Sequence, residues 1–254
     1  MSGASKGTGA QGAAPLEVGL LMFKDMLLLD YVGPWEVFSS LPSGLARVHR
    51  VAPSLEPVIA AKGFAVEPDT RLDQCPPLDV LCIPGGPGVT PLFEDAQLLE
   101  FIRRQARRAR FVGSVCTGSL LLGAAGLLQG RRAACHWLSL PLLAAFGAQP
   151  DPSRIVQDGP IVTGGGVTAG IDFGLHLVGE IWGREVAESI QLAIEYDPQP
   201  PFQAGSPRTA PAALVERIRQ ASVPMQAMRE QQVRQAASRL DQMSRPGSSQ
   251  SGAD

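Results

Sequence analysis

Histidine is scarce in this sequence, and its cysteines are spaced for neither a metal nor a redox pair. The three histidines, His49, His136 and His176, lie far apart, so no zinc site is expected and no metal is assigned. The four cysteines, Cys75, Cys82, Cys116 and Cys135, contain no Cys-x-x-Cys. Three of them lie in or beside apolar strand-like runs, which suits free thiols in a reducing, cytoplasmic compartment. An excess of one charge is lacking too: 22 Lys and Arg against 24 Asp and Glu leave a net charge of −2. That balance gives no electrostatic reason to expect nucleic acid or an anionic membrane as a partner. Residues 1–15 are rich in Gly and Ala, with one lysine and no apolar segment. They read as a disordered extension, neither signal peptide nor anchor. No internal repeat is visible.

What is present is enough for a full core. With 254 residues and 44% hydrophobic side chains, the chain can bury one domain, or at most two small ones. Its organising stretch runs from Phe111 to Trp137, FVGSVCTGSLLLGAAGLLQGRRAACHW. Residues 111–115 read as a short buried strand and Thr117 to Leu128 as a helix. Cys116 therefore falls at a strand-to-helix corner, with Gly113 and Gly118 on either side to permit a tight, strained turn. That is the geometry of a nucleophile elbow, normally written Gly-x-Ser-x-Gly, with the glycines in a looser frame. A helix start just beyond would favour the thiolate, so a depressed thiol pKa is expected. The competing reading is a buried structural cysteine, the commoner fate of a free thiol.

Taken in order, Glu17 to Phe23 reads as a first buried strand. Gly33-Pro34 can open a helix carrying Trp35, Val37 and Phe38. Asp30, between Leu29 and Tyr31 just upstream, is either its N-cap or a functional acid; Glu36 is the other acid of the segment. Strands are expected at Ala46–Ala52, Pro57–Ala61, Phe64–Val66 and Leu78–Pro84. The last runs into Gly85-Gly86-Pro87-Gly88, whose backbone can approach a ligand closely but lacks the Lys-Ser/Thr of a phosphate loop. Asp95 to Arg110 is amphipathic, with Leu98, Phe101, Ile102 and Gln105 inward and Arg103, Arg104, Arg107 and Arg108 as a solvated face. A strand is expected at Arg132–His136 and a helix through Leu140–Phe146. Asp158-Gly159 between two apolar pairs signals a hairpin. Helices follow from about Thr168 to Trp182, where His176 reads as a packed or surface residue rather than a ligand, and from Glu185 to Glu195. From Asp197 the chain turns proline-rich, with two further helices at Pro211–Arg219 and Pro224–Leu240 in a C-terminal extension over 197–244, and a polar tail over 245–254. This alternation argues for an α/β three-layer sandwich with a largely parallel central sheet. In such sheets ligands bind at the C-terminal strand ends, where Cys116, the Gly85-Gly86 loop and Asp30 would converge.

These residues resemble the PfpI-type superfamily, of class I glutamine-amidotransferase-like fold, over roughly Glu17 to Tyr196. Three segments are similar to its isonitrile hydratase subgroup: LLLDYVGPWEVF around Asp30, GSVCTGSLLLGAAGLL around Cys116, and GGGVTAGIDF from Gly164. The run IEYDPQPPFQAGSP from Ile194 resembles that subgroup's extension. Peptidases and amidotransferases of the fold need a histidine to assist the cysteine, and the residue after the nucleophile here is Thr117. Arabinose-type activators that share the Cys-Thr domain add about 100 residues with two helix-turn-helix units, more than the tail here supplies.

The resemblance implies a cofactor-free, homodimeric enzyme that hydrates an isonitrile to an N-substituted formamide. Cys116 would attack, Asp30 would move protons, and Thr117 would hold the carboxylate or the water by its hydroxyl. Backbone amides near Gly86 and Thr117 would polarise the intermediate, and Gly85, Gly86, Gly165 and Val167 would face the small-molecule substrate. Two alternatives remain at this level: a ligand or redox sensor of the same fold, and an enzyme acting on reactive carbonyls.

Overall fold

The computed structural model describes residues 14–244. The tail expected over 245–254 lies outside the described residues, as does all but residues 14 and 15 of the N-terminal extension. In chain order the elements are β1 (Leu16–Leu21), α1 (Leu28–Ser39), β2 (Ala46–Ala52), β3 (Val58–Ile59), β4 (Ala65–Val66) and β5 (Thr70–Arg71). Then come β6 (Val80–Ile83), α2 (Ala96–Ala106), β7 (Phe111–Val115), α3 (Gly118–Ala124), β8 (Arg132–Ala133), β9 (Gln149–Pro150) and β10 (Ile155–Asp158). The last are β11 (Ile161–Gly164), α4 (Ala169–Trp182), α5 (Arg184–Ala193) and α6 (Ala212–Ser244). Residues 87–94 and 140–146 are 3₁₀-helical.

Seven strands form the central sheet in the order β10-β11-β7-β6-β1-β2-β5. All neighbours are parallel except β10 and β11, the hairpin that Asp158-Gly159 announces. The inner strands are continuous apolar runs because both faces are covered: β6, Val-Leu-Cys-Ile, is buried at every position. One layer of helices groups α1 with α4 and α5; the other brings α3 against α2 and α6. Contact between α1 and α4 is close because Gly33 lies against the Gly170 and Ile171 backbone at 3.3 Å, reckoned from where a Cβ would sit.

Several boundaries differ from expectation. α1 begins at Leu28, five residues before Gly33, and holds Pro34 inside it. α3 spans seven residues rather than twelve, since Gly126 turns the chain at φ +79°. The strand expected at Arg132–His136 shrinks to two residues. α6 is one helix of 33 residues running through Pro224, not two. It packs on α3 and on residues 87–94 and 140–146, with Val233 and Ala236 joining the core. The expected basic face of α2 is only partly solvated, since Arg103 donates to the Ala125 carbonyl and Arg104 to that of Leu72.

The chain leaves β1 toward β2 on one side and resumes at β6 on the other. The gap between the C-terminal ends of β1 and β6 is therefore a topological switch point, where open α/β sheets hold ligands. α1 leaves β1 there, and the Gly85-Gly86 loop leaves β6. Cys116 leaves β7 one strand further on.

Candidate active site

Cys116 follows β7 directly and has φ +59°. For a residue with a Cβ this left-handed backbone costs on the order of 1–2 kcal/mol, and it persists only where surroundings enforce it. Here the Cys116 N–H donates to the Gly164 carbonyl at 3.1 Å, and Ser119 Oγ donates to the Cys116 carbonyl at 3.1 Å. The turn lifts the side chain out of the sheet toward the strand ends while leaving it only 4% exposed.

The expected thiolate is not what this environment favours. Burial pushes the Cys116 thiol well above its ordinary range; Asp30 and Cys135 beside it add to the rise, and the Thr117 N–H opposes it. The seven-residue α3 does not offset that burial.

Asp30 stands in the first turn of α1, but it does not cap the helix: Leu27 is the capping residue and no side chain serves. Its carboxyl is 1% exposed and turned toward the neighbouring strand end, where Oδ2 accepts the Gly85 N–H at 3.0 Å. Oδ1 accepts no hydrogen bond from the protein, and the Cys116 thiol lies within reach of the carboxyl. Burial raises its pKa from 3.8 to about 7, against the pull of Gly85 and Cys116. Glu36, by contrast, is on the exposed side of α1.

Thr117 and Gly85 complete the corner. Thr117 Oγ1 accepts the Gly86 N–H at 2.9 Å, so its hydroxyl holds the glycine loop. The Gly86 amide is thereby occupied, while the Thr117 amide is the one that faces the sulfur. Gly85 lets these groups converge: a Cβ there would sit 2.5 Å from Thr117 N, 2.7 Å from its Oγ1 and 2.8 Å from Asp30 Oδ2.

Gly165 and Val167 are in the wall of a cavity of about 310 Å³ that also includes Cys135, His136, Trp137 and Leu140. The segment Gly205–Arg208 of the C-terminal extension closes its other side. A wider cleft of about 840 Å³ adjoins it through Arg154, Val167, Thr168 and Gly205, and reaches Leu29 and Gly33 of α1. His176 hydrogen-bonds Gln157 at 2.6 Å. Among the described residues no cluster of three or more His, Cys, Asp or Glu side chains is placed to hold a metal, and no helix is long and apolar enough to cross a membrane.

Three contributors escaped the sequence reading. Cys135 is buried within electrostatic range of Cys116. Ser119 reaches both, through the Cys116 carbonyl and the Cys135 thiol. Arg229 of α6 is 5% exposed. The signal for Arg229 was its spacing: 229, 233, 236 and 240 fall on one helical stripe with Val233, Ala236 and Leu240.

Comparison with known proteins agrees with this architecture. The model of the DJ-1/PfpI family matches residues 17–180. An isonitrile hydratase from Pseudomonas putida is 50% identical over 226 residues, covering 89% of this chain and 98% of its own. The HTH-type transcriptional regulator GbdR of Pseudomonas aeruginosa is 31% identical over 197 residues, which cover 75% of this chain but 53% of the regulator. Among solved structures, a ThiJ/PfpI family protein from Pseudomonas syringae superposes with a TM-score of 0.81 at 39% identity, covering 93% of this chain and 97% of that one.

Proposed function

The chain belongs to the DJ-1/PfpI family, and from that premise we propose that it hydrates isonitriles to N-substituted formamides through Cys116. The observation that carries the reading is the juxtaposition of a strained, buried cysteine with a carboxyl whose pKa is near 7. The named activity of the Pseudomonas putida relative, aligned over nearly its whole length, supports the same substrate class.

The chemistry follows from the electronic structure of R–N≡C. Its terminal carbon carries a lone pair and accepts a nucleophile only as it gains a proton. A thiol and a carboxylate sharing one proton meet both needs. Asp30 takes the S–H proton as base and passes it to the carbon as acid, while the sulfur forms the S–C bond. The product is a thioimidate, R–N=CH–S–Cys116, and the carboxylate is regenerated. Water then adds to that carbon; Asp30 accepts one of its protons and returns it to the nitrogen. Collapse of R–NH–CH(OH)–S–Cys116 breaks the C–S bond, moves the hydroxyl proton to sulfur, and releases R–NH–CHO. The Thr117 amide stabilises charge on the sulfur, and Thr117 Oγ1 keeps the Gly85-Gly86 loop in place. The cavity beside Gly165 and Val167 receives the R group. No step calls on a metal or an organic cofactor.

A sensor reading is less favoured. The hydratase is 50% identical over the aligned residues, whereas the regulator is 31% identical. A cytoplasmic setting suits four free thiols. The test is purified protein mixed with a simple alkyl isonitrile and followed by mass spectrometry of small products. The formamide should accumulate over many turnovers; stoichiometric uptake without product would return the domain to the sensor class.

A further inference from the structure

Arg229 is a buried cation that the proposed chemistry leaves unused. It enters from α6, more than a hundred residues after the corner it reaches. Its Nη1 donates to Ser139 Oγ at 2.9 Å, and its Nε lies 3.4 Å from Thr90 Oγ1. Ser139 in turn donates to Gln226 Oε1 at 3.1 Å, one turn earlier on the same helix. Both partners of the guanidinium are neutral hydroxyls, and among the described residues no carboxylate pairs with it. Its partner Ser139 donates its N–H to the carbonyl of His136, the residue after Cys135, at 2.8 Å, and the thiols whose anions fall within the field of the guanidinium are Cys135 first and Cys116 second. Burying a guanidinium without an acid is costly, so a side chain fixed this way has a charge with another destination.

We propose that Arg229 is a positioning residue for Cys116, a fixed cation that α6 brings to the Cys116–Cys135 thiol pair to stabilise the sulfur as it becomes anionic during attack and release. The inference rests on Cys116 being the reacting group, and it gives the C-terminal extension a part in the site beyond roofing the cavity. Other charged or titratable groups facing the sulfur are Asp30 from α1 and Cys135 itself, with His136 next to Cys135 and also within the field of Arg229. All of these stay constant when Arg229 alone is changed.

The experiment measures the pH dependence of Cys116 alkylation by iodoacetamide in the full-length protein, read by peptide mass spectrometry. It needs no turnover, so failure here and failure of the isonitrile reading are separately visible. Arg229→Gln should move the labelling curve to higher pH and slow labelling about tenfold at a pH below the midpoint, which is one pKa unit. Arg229→Lys, which keeps the charge, should restore most of that rate. With isonitrile, the Gln variant should lose kcat while KM changes little. A purely structural arginine predicts a lower melting temperature with an unmoved labelling curve, and that result overturns the proposal. Should Arg229→Gln fail to fold, Ser139→Ala frees the guanidinium from its shorter bond. A shift in the same direction, smaller than that of the charge deletion, supports the proposal, and an unmoved curve rejects it.

Discussion

Asp30 and Arg229 are both nearly sealed from solvent, one near each end of the described chain, yet their charges are satisfied differently. Asp30 has one backbone donor, Gly85, an oxygen to spare and, among the described residues, no cation paired with it. Burial accordingly wins, and its carboxyl is pushed up to about 7, where it exchanges protons freely. Arg229 has two hydroxyls and no acid, and a guanidinium does not surrender its proton in a protein. The two do not pair with each other; both act on Cys116. The difference teaches a division of labour. The group that titrates moves protons, and the group that cannot titrate supplies a constant field. A salt bridge between them would have quenched both roles, fixing Asp30 as a carboxylate and neutralising the field.

Breaking the comparison at its centre should have the largest effect. Cys116→Ala removes the sulfur that both groups face and should lower isonitrile turnover by at least about 10³-fold, measured as formamide per enzyme per second. Asp30→Asn comes next. Asparagine still accepts the Gly85 N–H but carries no proton to the carbon, so turnover should fall at least about a hundredfold. Stability should move the other way. Between pH 3.8 and about 7 the native state of the wild type holds a proton that the unfolded chain has released, so its stability declines as pH rises through that window, by on the order of 4 kcal/mol in total. Urea melts at pH 5 and pH 8 should show this slope in the wild type and its flattening in Asp30→Asn.

The rate profile sharpens the same contrast. Turnover needs a single proton on the Asp30–Cys116 pair, so kcat/KM should rise with pH through about 7 as the pair loses its first proton. It should fall only at the raised pKa of the thiol. A rate that decreases steadily from pH 5 to 8 would mean that the doubly protonated pair is active and that Asp30 acts as acid alone. A smaller effect is expected for Thr117→Val, which leaves the Gly86 N–H without its acceptor and should cost roughly 1–3 kcal/mol by thermal or urea melting. The smallest is Glu36→Gln: this acid is exposed on α1, and stability should stay within about 0.5 kcal/mol with an unchanged rate.

How much of this was legible in the sequence depends on whether the signal was local. β2 appears at its expected residues because Ala46–Ala52 is bounded by turn signals on both sides. The inner strands were readable because doubly buried strands are continuously apolar, and the Asp158-Gly159 hairpin because its turn chemistry lies in two residues. The meeting of Asp30, Gly85 and Cys116 followed from where parallel strands end. Other features depend on tertiary context. Gly33-Pro34 looked like a helix start, but α1 was already under way at Leu28 because its Asp30–Phe38 face packs on the sheet and α4. Pro224 looked like a boundary, but packing on both sides of it carries α6 through. The burial that opposes the expected thiolate is not visible in sequence, because it arises where several strand ends and their loops meet, whereas a short helix start is visible. Arg229 hid among the glutamines and arginines of α6, where only the stripe it shares with Val233 and Ala236 points inward.

The central claim is that hydration passes through a covalent bond between the isonitrile carbon and Cys116. Rapid mixing of the protein with an alkyl isonitrile, acid quench and intact-protein mass spectrometry test it directly. The account predicts a species heavier by the mass of one isonitrile, mapped to the Cys116 peptide, which forms faster than formamide is released and is absent from Cys116→Ala. Formamide production by Cys116→Ala at the wild-type rate, with no adduct on the wild-type protein, would contradict it.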